Sequence, residues 1–198
     1  MKVTVYCGAA SGNNPEFTKR AAELGRWLAS KGHSLIYGGG NQGMMGAVSG
    51  ACLKAGGKAT GVSPDFFVMN EETRADLDAL IIADDMSHRR NIMMELGDAF
   101  IALPGGTGTL DEITEVLAIK RLGMLGTINK PIMLYNINGY YDKLFEFLDV
   151  MKSEDFCRVE DRTNAIEVTC IEDIERALNS AGEHDRTRNT AYDDSEKE

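Results

Sequence analysis

The sequence lacks paired cysteines, long apolar runs and an excess of positive charge. Its four cysteines form no CxxC pair and no cluster with histidine, which argues against a zinc site and predicts free thiols. No segment approaches the roughly 18 apolar residues of a membrane-spanning helix, and residues 1–7 alternate like a strand instead of forming a signal-peptide core. The net charge of −10 argues against a general nucleic-acid binder. We therefore expect a cytoplasmic protein that binds no metal, nucleic acid or membrane.

Short apolar segments alternate with segments of helical periodicity along most of the chain. This pattern predicts an α/β fold, namely a Rossmann-like, doubly wound, mainly parallel sheet with helices on both faces. We expect a single domain over residues 1–180 and a polar, disordered tail over residues 181–198. Residues 63–75 show no clean periodicity and fit either an active-site loop or a plain surface connection.

The first glycine-rich loop, YGGGNQGMMG over residues 37–46, contains a G-x-G-x-x-G match at Gly38, Gly40 and Gly43. It follows a predicted strand and opens a predicted helix, which is the context of a dinucleotide-binding loop, and Asp65 lies about twenty residues further on. The loop follows the second strand instead of the first, however, which favours a mononucleotide phosphate or ribose site. A third interpretation is that these glycines only permit close packing of strand and helix.

The second glycine-rich run, PGGTGTLDE over residues 104–112, follows a predicted strand at residues 100–103 and precedes a predicted helix from Leu110. A strand, a glycine turn and a helix N-terminus together make an anion site, because free backbone N–H groups converge there. Thr109 and Glu112 also match a capping box, with Thr109 as the N-cap and Glu112 three residues later. Glu112 therefore fits either a helix cap or a catalytic carboxylate, and Glu115 lies one turn beyond it.

A pair of arginines lies near the start of the predicted helix 86–96. Arg89 shares a helical face with Met93 and Leu96, so we expect Arg89 to point inward, where a buried guanidinium needs an anionic partner. A guanidinium suits bidentate binding of phosphate or carboxylate. The plainer interpretation is a surface arginine pair beside an amphipathic helix.

Taken together, these segments resemble the Lonely Guy family of cytokinin riboside 5′-monophosphate phosphoribohydrolases, some of which carried the older label of possible lysine decarboxylases. The resemblance rests on the arginine pair followed by PGGxGTxxE, on the YGGGxxGxMG loop, on residues 7–12, and on the Asn138-Gly139-Tyr140-Tyr141 segment. It implies a homodimer with its site near the subunit interface and no cofactor.

The resemblance also implies roles for individual residues. Catalytic roles fall on Arg89 and Glu112. The residues expected to bind substrate or its phosphate are Gly8, Ser11, Gly39, Gly40, Gly43, Met44, Arg90, Gly105, Gly106, Thr107, Gly108, Thr109 and Glu115. Two positions depart from the family pattern: Arg90 replaces the usual lysine, and residues 118–121 replace a tryptophan-containing segment. The identity of the base is therefore open.

The expected activity is hydrolysis of the N-glycosidic bond of a purine nucleoside 5′-monophosphate to free base and ribose 5-phosphate, through an oxocarbenium-like transition state. The main alternative is a binding protein for a phosphorylated ligand such as molybdenum cofactor. A lysine decarboxylase fits less well, because neither glycine motif contains a lysine for a pyridoxal-phosphate Schiff base. A nicotinamide oxidoreductase is the third alternative.

Overall fold

The computed structural model describes residues 1–69, 73–124 and 130–181. Within these residues, seven strands form one parallel sheet in the order β4-β3-β2-β1-β5-β6-β7. The strands are β1 (Lys2–Tyr6), β2 (Ser34–Tyr37), β3 (Lys58–Pro64), β4 (Ala79–Ala83), β5 (Ala99–Ala102), β6 (Ile132–Tyr135) and β7 (Ala165–Val168). The central strands β5 and β6 are buried along their whole length, as expected for a parallel sheet covered on both faces.

Helices cover both faces of the sheet. They are α1 (Pro15–Ser30), α2 (Gly43–Lys54), α3 (Asp65–Met69), α4 (Met86–Leu96), α5 (Thr107–Arg121), α6 (Asp142–Ser153), α7 (Val159–Thr163) and α8 (171–181). One apolar core lies between the sheet and α1, α2 and α8, and a second lies between the sheet and α4, α5 and α6. The predicted doubly wound α/β fold is confirmed.

Successive residues of β1 illustrate how the sheet separates these two cores. Val3 and Val5 pack into the first core, and Tyr6 packs into the second. Thr4 is also buried, and its hydroxyl donates to the Met93 carbonyl of α4 at 2.9 Å. The only polar side chain of this strand's interior is thus satisfied by the helix that carries Arg89.

The strand order places a crevice at the carboxyl ends of β1 and β5. The chain runs outward from β1 through β2, β3 and β4, and then returns to the other side of β1 with β5, β6 and β7. Ligands of open parallel sheets bind at such a switch point. Here the loops after β1 and β5 meet, because the Gly8 N–H donates to the Pro104 carbonyl at 3.2 Å.

Several local predictions need correction or fall outside the described residues. The segment predicted as an irregular stretch from Ser63 to Ala75 instead begins with the end of β3 and continues as the short helix α3, while Thr73 forms an antiparallel bridge to Gly40. The expected tail lies outside the described residues except for residue 181, so the domain boundary stays a prediction. No helix among residues 1–69, 73–124 and 130–181 is long and apolar enough to cross a membrane.

Candidate active site

A cavity of about 660 Å³ lies at the switch point, within the size range of small-molecule sites. Its walls come from the loop after β1, the first glycine-rich loop, the β3–α3 connection, and the first turns of α4 and α5. Nine of the predicted site residues line it: Gly8, Gly40, Arg89, Arg90, Gly106, Thr107, Gly108, Thr109 and Glu112. The two glycine-rich runs, which are about sixty residues apart in sequence, therefore face one cavity, because both follow strands whose carboxyl ends lie at the same edge of the sheet.

The N-terminus of α5 differs from the predicted capping box. The helix begins at Thr107, its N-cap is Gly106, and no side chain caps it. Thr109 therefore lies in the first turn, buried, and its hydroxyl packs so close to Gly105 that a Cβ there would approach it to 2.1 Å. The predicted cap at Thr109 with Glu112 three residues later is wrong. A capping oxygen would occupy the N–H groups that a bound anion needs.

The backbone around this helix start is an open anion cradle. Among the described residues, no backbone N–H of residues 105–109 donates a hydrogen bond, whereas the Leu110 N–H donates to the Gly106 carbonyl at 3.1 Å. Gly106, Thr107, Gly108 and Thr109 all line the cavity. Free N–H groups and the positive end of a fifteen-residue helix together favour a phosphate at this position.

The first glycine-rich loop is arranged differently. The N-terminus of α2 is already covered by the loop after β1, since the Met44 N–H lies 3.4 Å from the Ala10 carbonyl and donates to it. Gly43 has φ +56°, and a Cβ on it would lie 2.0 Å from the Ala9 carbonyl oxygen. Asp65 is exposed on α3 and does not line the cavity. These features do not fit a dinucleotide site, whose pyrophosphate would need this helix end and whose ribose would need Asp65.

Arg89 points into the cavity from the first turn of α4. We call the part of the cavity lined by Arg89 and Glu112 its floor. The helix begins at Met86, as predicted, and the Asp85 side chain caps it by accepting from the His88 N–H at 2.8 Å. The Arg89 Nε donates to the Val62 carbonyl at 2.9 Å. Its guanidinium lies over Gly38, where a Cβ would come within 2.0 Å of Nη2. A glycine is therefore required at position 38 to seat Arg89, a role that the sequence motif did not reveal.

Glu112 lies opposite Arg89, and both residues are only 8 % exposed. The Glu112 Oε1 and the Arg89 Nη1 are 3.7 Å apart, which is an ion pair but longer than a hydrogen bond. Burial raises the pKa of the Glu112 carboxyl to about 7, and the positive charge of Arg89 only partly offsets that increase. A carboxyl with a pKa near neutrality can exchange protons readily during catalysis.

Arg90 forms ion pairs with two carboxylates, and one of them, Asp111, also lines the cavity. Its Nε donates to Glu115 Oε2 at 2.6 Å, and its Nη1 lies 3.3 Å from Asp111 Oδ2. The hydrogen bond to Glu115 raises the pKa of the Arg90 guanidinium. Arg90 lines the cavity but is already neutralised, whereas Glu115 does not line the cavity.

Three further lining residues form an apolar wall that the sequence analysis did not predict as part of the site. Met45 comes from α2, Phe67 from α3 and Met86 from the start of α4. Phe67 packs against Phe66 with ring centroids 4.1 Å apart. Methionines and aromatic residues at helix starts are more often core residues, so only their convergence in the fold identifies this wall.

Six predicted site residues do not line the cavity: Ser11, Gly39, Gly43, Met44, Gly105 and Glu115. Several of them shape the loops behind it, as Gly43 does against Ala9 and Gly105 against Thr109. Among the described residues, no lysine lines the cavity. The same residues contain no group of three or more His, Cys, Asp or Glu side chains arranged to hold a metal ion.

The chain is similar to one family model and to named sequence relatives. Residues 45–179 match a family model described as possible lysine decarboxylase. The cytokinin riboside 5′-monophosphate phosphoribohydrolase of Rhodococcoides fascians is 40% identical over 177 residues, which cover 89% of this chain and 86% of that protein. The enzyme named LOG in Oryza sativa is 39% identical over 155 residues, covering 78% of this chain and 63% of the rice protein.

A solved structure shares the fold. The molybdenum cofactor binding protein of the phototrophic bacterium Rippkaea orientalis superimposes with a TM-score of 0.65 at 25% identity, covering 90% of this chain and 94% of that one. The sequence relatives are thus considerably closer than this structural neighbour. The identities, the matched lengths and the family model together show that the chain belongs to the Lonely Guy family of cytokinin riboside 5′-monophosphate phosphoribohydrolases.

Proposed function

We propose that this protein hydrolyses the N-glycosidic bond of a purine nucleoside 5′-monophosphate, releasing the free base and ribose 5-phosphate. The observation that carries this proposal is the combination of an uncapped helix N-terminus with Arg89 and Glu112 in one cavity. The named activities of the relatives from Rhodococcoides fascians and Oryza sativa support it.

The 5′-phosphate would bind the free N–H groups of residues 106–109. That position leaves the ribose toward the cavity floor, where Glu112 projects from the second turn of the same helix. A carboxylate aimed at the phosphate itself would repel it. Glu112 therefore acts on the sugar, one helical turn beyond the anion cradle.

The chemistry follows from the two buried side chains. As the bond between the base nitrogen and C1′ breaks, positive charge develops on the ribose, and the Glu112 carboxylate stabilises it. Water then adds its oxygen to C1′ and gives one proton to Glu112. That proton passes to the departing base nitrogen, so the water supplies both the new C1′ hydroxyl and the proton of the free base, and Glu112 returns to a carboxylate. Arg89 stabilises the negative charge that develops on the leaving base or holds the phosphorylated sugar in position.

The apolar wall of Met45, Phe67 and Met86 would receive the base. A purine ring is flat and largely apolar on its faces, and thioether and aromatic side chains pack well against such surfaces. The wall does not by itself distinguish adenine from an N6-alkylated adenine.

We further propose that the protein acts as a homodimer, as the family resemblance implies. Leu110 on α5 and Leu122, which caps the end of that helix, are 41% and 68% exposed, so the helix that carries Glu112 and its C-cap present apolar side chains outward. Sedimentation velocity would give a dimer mass if this holds and a monomer mass if it does not. The cytoplasmic location stays a prediction from the sequence.

A panel of nucleotides tests the proposed activity. The purified protein is incubated with AMP, N6-isopentenyl-AMP, GMP and CMP, and free base is quantified by chromatography; adenosine serves as the control without phosphate. We expect base release from at least one purine nucleotide and none from adenosine. No release from any nucleotide, together with a pterin that co-purifies with the protein, would instead support a molybdenum cofactor carrier, as in the Rippkaea orientalis neighbour.

A further inference from the structure

We propose that Tyr140 and Tyr141 are positioning residues that hold the backbone of the anion cradle in its binding orientation. The inference rests on the proposed function, in which this cradle takes a phosphate. It concerns the Asn138-Gly139-Tyr140-Tyr141 segment after β6, which lies outside the cavity and has no role in the chemistry described above.

Tyr140 donates a hydrogen bond to a carbonyl of the cradle, and Tyr141 donates one to the residue that leads into it. The Tyr141 hydroxyl donates to the Leu103 carbonyl at 2.7 Å, and the Tyr140 hydroxyl donates to the Gly105 carbonyl. Between these two, the Pro104 carbonyl accepts from the Gly8 N–H. Four residues, 103–106, connect β5 to α5, and the first three of their carbonyls are therefore each bonded by a different donor from outside this segment.

The bonds to the Pro104 and Gly105 carbonyls determine where the next N–H groups, those of Gly105 and Gly106, point. The Leu103 carbonyl precedes Pro104, which has no N–H, so Tyr141 instead anchors the start of the connection. In a trans peptide the C=O of one residue and the N–H of the next point in opposite directions. Fixing the Gly105 carbonyl on Tyr140 therefore directs the Gly106 N–H to the opposite side, and Gly106 lines the cavity. Flanking glycines leave this peptide free to rotate, so the Tyr140 hydroxyl supplies a restraint that glycine cannot.

Tyr141 is buried and Tyr140 is 43% exposed, and packing contacts hold both rings. The Tyr140 ring packs edge-on against Phe17 and Tyr141, with centroids 5.6 and 5.0 Å apart. The Tyr141 N–H donates to Asn136 Oδ1 at 2.7 Å, and the Asn136 amide donates to Asp142 and Glu167. A clamp of this kind keeps the cradle ordered before the ligand arrives, which lowers the entropic cost of binding.

The same region supplies a matched control. Tyr135 ends β6, one residue before Asn136, and its buried hydroxyl has no hydrogen-bond partner in the described part of the protein. Tyr135→Phe removes a phenolic oxygen from this neighbourhood without touching the cradle. Tyr140→Phe and Tyr141→Phe remove the same atom while keeping the ring contacts.

The test compares affinity for phosphorylated and unphosphorylated ligands. Ribose 5-phosphate, inorganic phosphate and adenosine are titrated calorimetrically into wild-type protein and the three variants, with thermal unfolding recorded for each. Loss of one orienting hydrogen bond should weaken phosphate-bearing ligands by about fivefold to twentyfold in Tyr140→Phe, and leave adenosine within about twofold. Tyr135→Phe should match wild type. For AMP turnover, KM should rise more than kcat falls.

The outcomes separate this inference from the proposed activity. Wild-type protein that binds ribose 5-phosphate but hydrolyses no nucleotide would refute the activity, and the Tyr140→Phe comparison would still decide the clamp. Equal affinity of wild type and Tyr140→Phe for phosphate-bearing ligands would overturn the clamp. Equal weakening of adenosine and phosphate would also overturn it, because that result indicates a general structural role. A wild-type protein that binds none of the phosphates would overturn both.

Discussion

Two neighbouring arginines on α4 form ion pairs with two glutamates on α5, and the pairs differ in both closeness and burial. Arg90 and Glu115 are 2.6 Å apart, and Arg90 also contacts Asp111. Arg89 and Glu112 are 3.7 Å apart, although their side chains are only 10 % exposed against 20 % and 31 % for the outer pair. The more deeply buried charges are thus the less well paired.

We infer from this difference that the outer pair is structural and that the inner pair serves the proposed function. A buried charge without a close partner is costly, so a loose pair in a protein interior is retained where a ligand completes it. Arg90 has its anions within the protein and joins two helices. Arg89 and Glu112 face the cavity and have hydrogen-bonding capacity left for a substrate.

The largest expected effect comes from exchanging the two glutamates for glutamine. Glu112→Gln should lower kcat by about 10²- to 10⁴-fold, because the amide neither takes a proton nor carries the charge that stabilises the sugar cation. Glu115→Gln, on the same helix, should cost less than about tenfold. Free-base release by chromatography measures both. Comparable losses in the two variants would remove the distinction between the pairs.

A smaller effect is expected from replacing each arginine by lysine. Arg89→Lys keeps the charge but loses the hydrogen bond from Nε to the Val62 carbonyl and the planar guanidinium over Gly38. We therefore expect kcat/KM to fall by roughly 10²-fold. Arg90→Lys keeps a cation near Glu115 and should change kcat/KM less than about fivefold. A larger loss of kcat/KM in Arg90→Lys than in Arg89→Lys, with both proteins folded by circular dichroism, would contradict the distinction between the two ion pairs.

The smallest effect concerns the pH dependence of stability. Because burial raises the folded-state pKa of Glu112 to about 7, the folded state holds a proton that the unfolded chain releases near its ordinary value of 4.5. This contribution to stability is present below the unfolded pKa and is lost as pH rises through the folded one. We expect the free energy of unfolding to fall by roughly 1 kcal/mol per pH unit as the pH rises from about 4.5 to about 7, and to level off above pH 7.

Urea titrations of wild type and Glu112→Gln at several pH values measure the contribution of Glu112 to the free energy of unfolding. Subtracting the two pH profiles removes the contribution of the histidines, which both proteins share. The same carboxyl should make kcat/KM rise with pH near 7, because the carboxylate is the form that accepts a proton. Stability and activity therefore change in opposite directions. Identical stability profiles for the two proteins would show that Glu112 titrates normally.

The sequence predicts the start of helix α4 correctly and the start of helix α5 incorrectly. Helix α4 was predicted from Met86 to Leu96 and is observed with those bounds, since Asp85 caps it and its periodicity is clear. Helix α5 was predicted to start at Leu110 but starts at Thr107. There the local pattern favours a threonine cap, whereas burial of Thr109 against Gly105 gives a glycine N-cap with free N–H groups.

The candidate site shows the same division. The glycine-rich runs and the inward direction of Arg89 are predicted from local spacing. Local sequence left Glu112 between a helix cap and a catalytic carboxylate, and the catalytic roles of Arg89 and Glu112 come from the family resemblance and stay predictions. Phe67 could not be predicted, because it lies in a segment without periodicity and joins Met45 and Met86 only when β3 and α4 come together. The arrangement of Tyr140 against Gly105 likewise links residues 35 positions apart.

The sequence by itself therefore determined the alternation of strands and helices and the placement of both glycine runs at strand ends, because periodicity and residue type express these locally. Tertiary structure alone decided which helix N-terminus stays open and which ion pair stays loose. Ala10 covers the start of α2, and no corresponding group covers the start of α5 in the described chain. Such differences depend on distances between segments far apart in sequence, which local patterns do not encode.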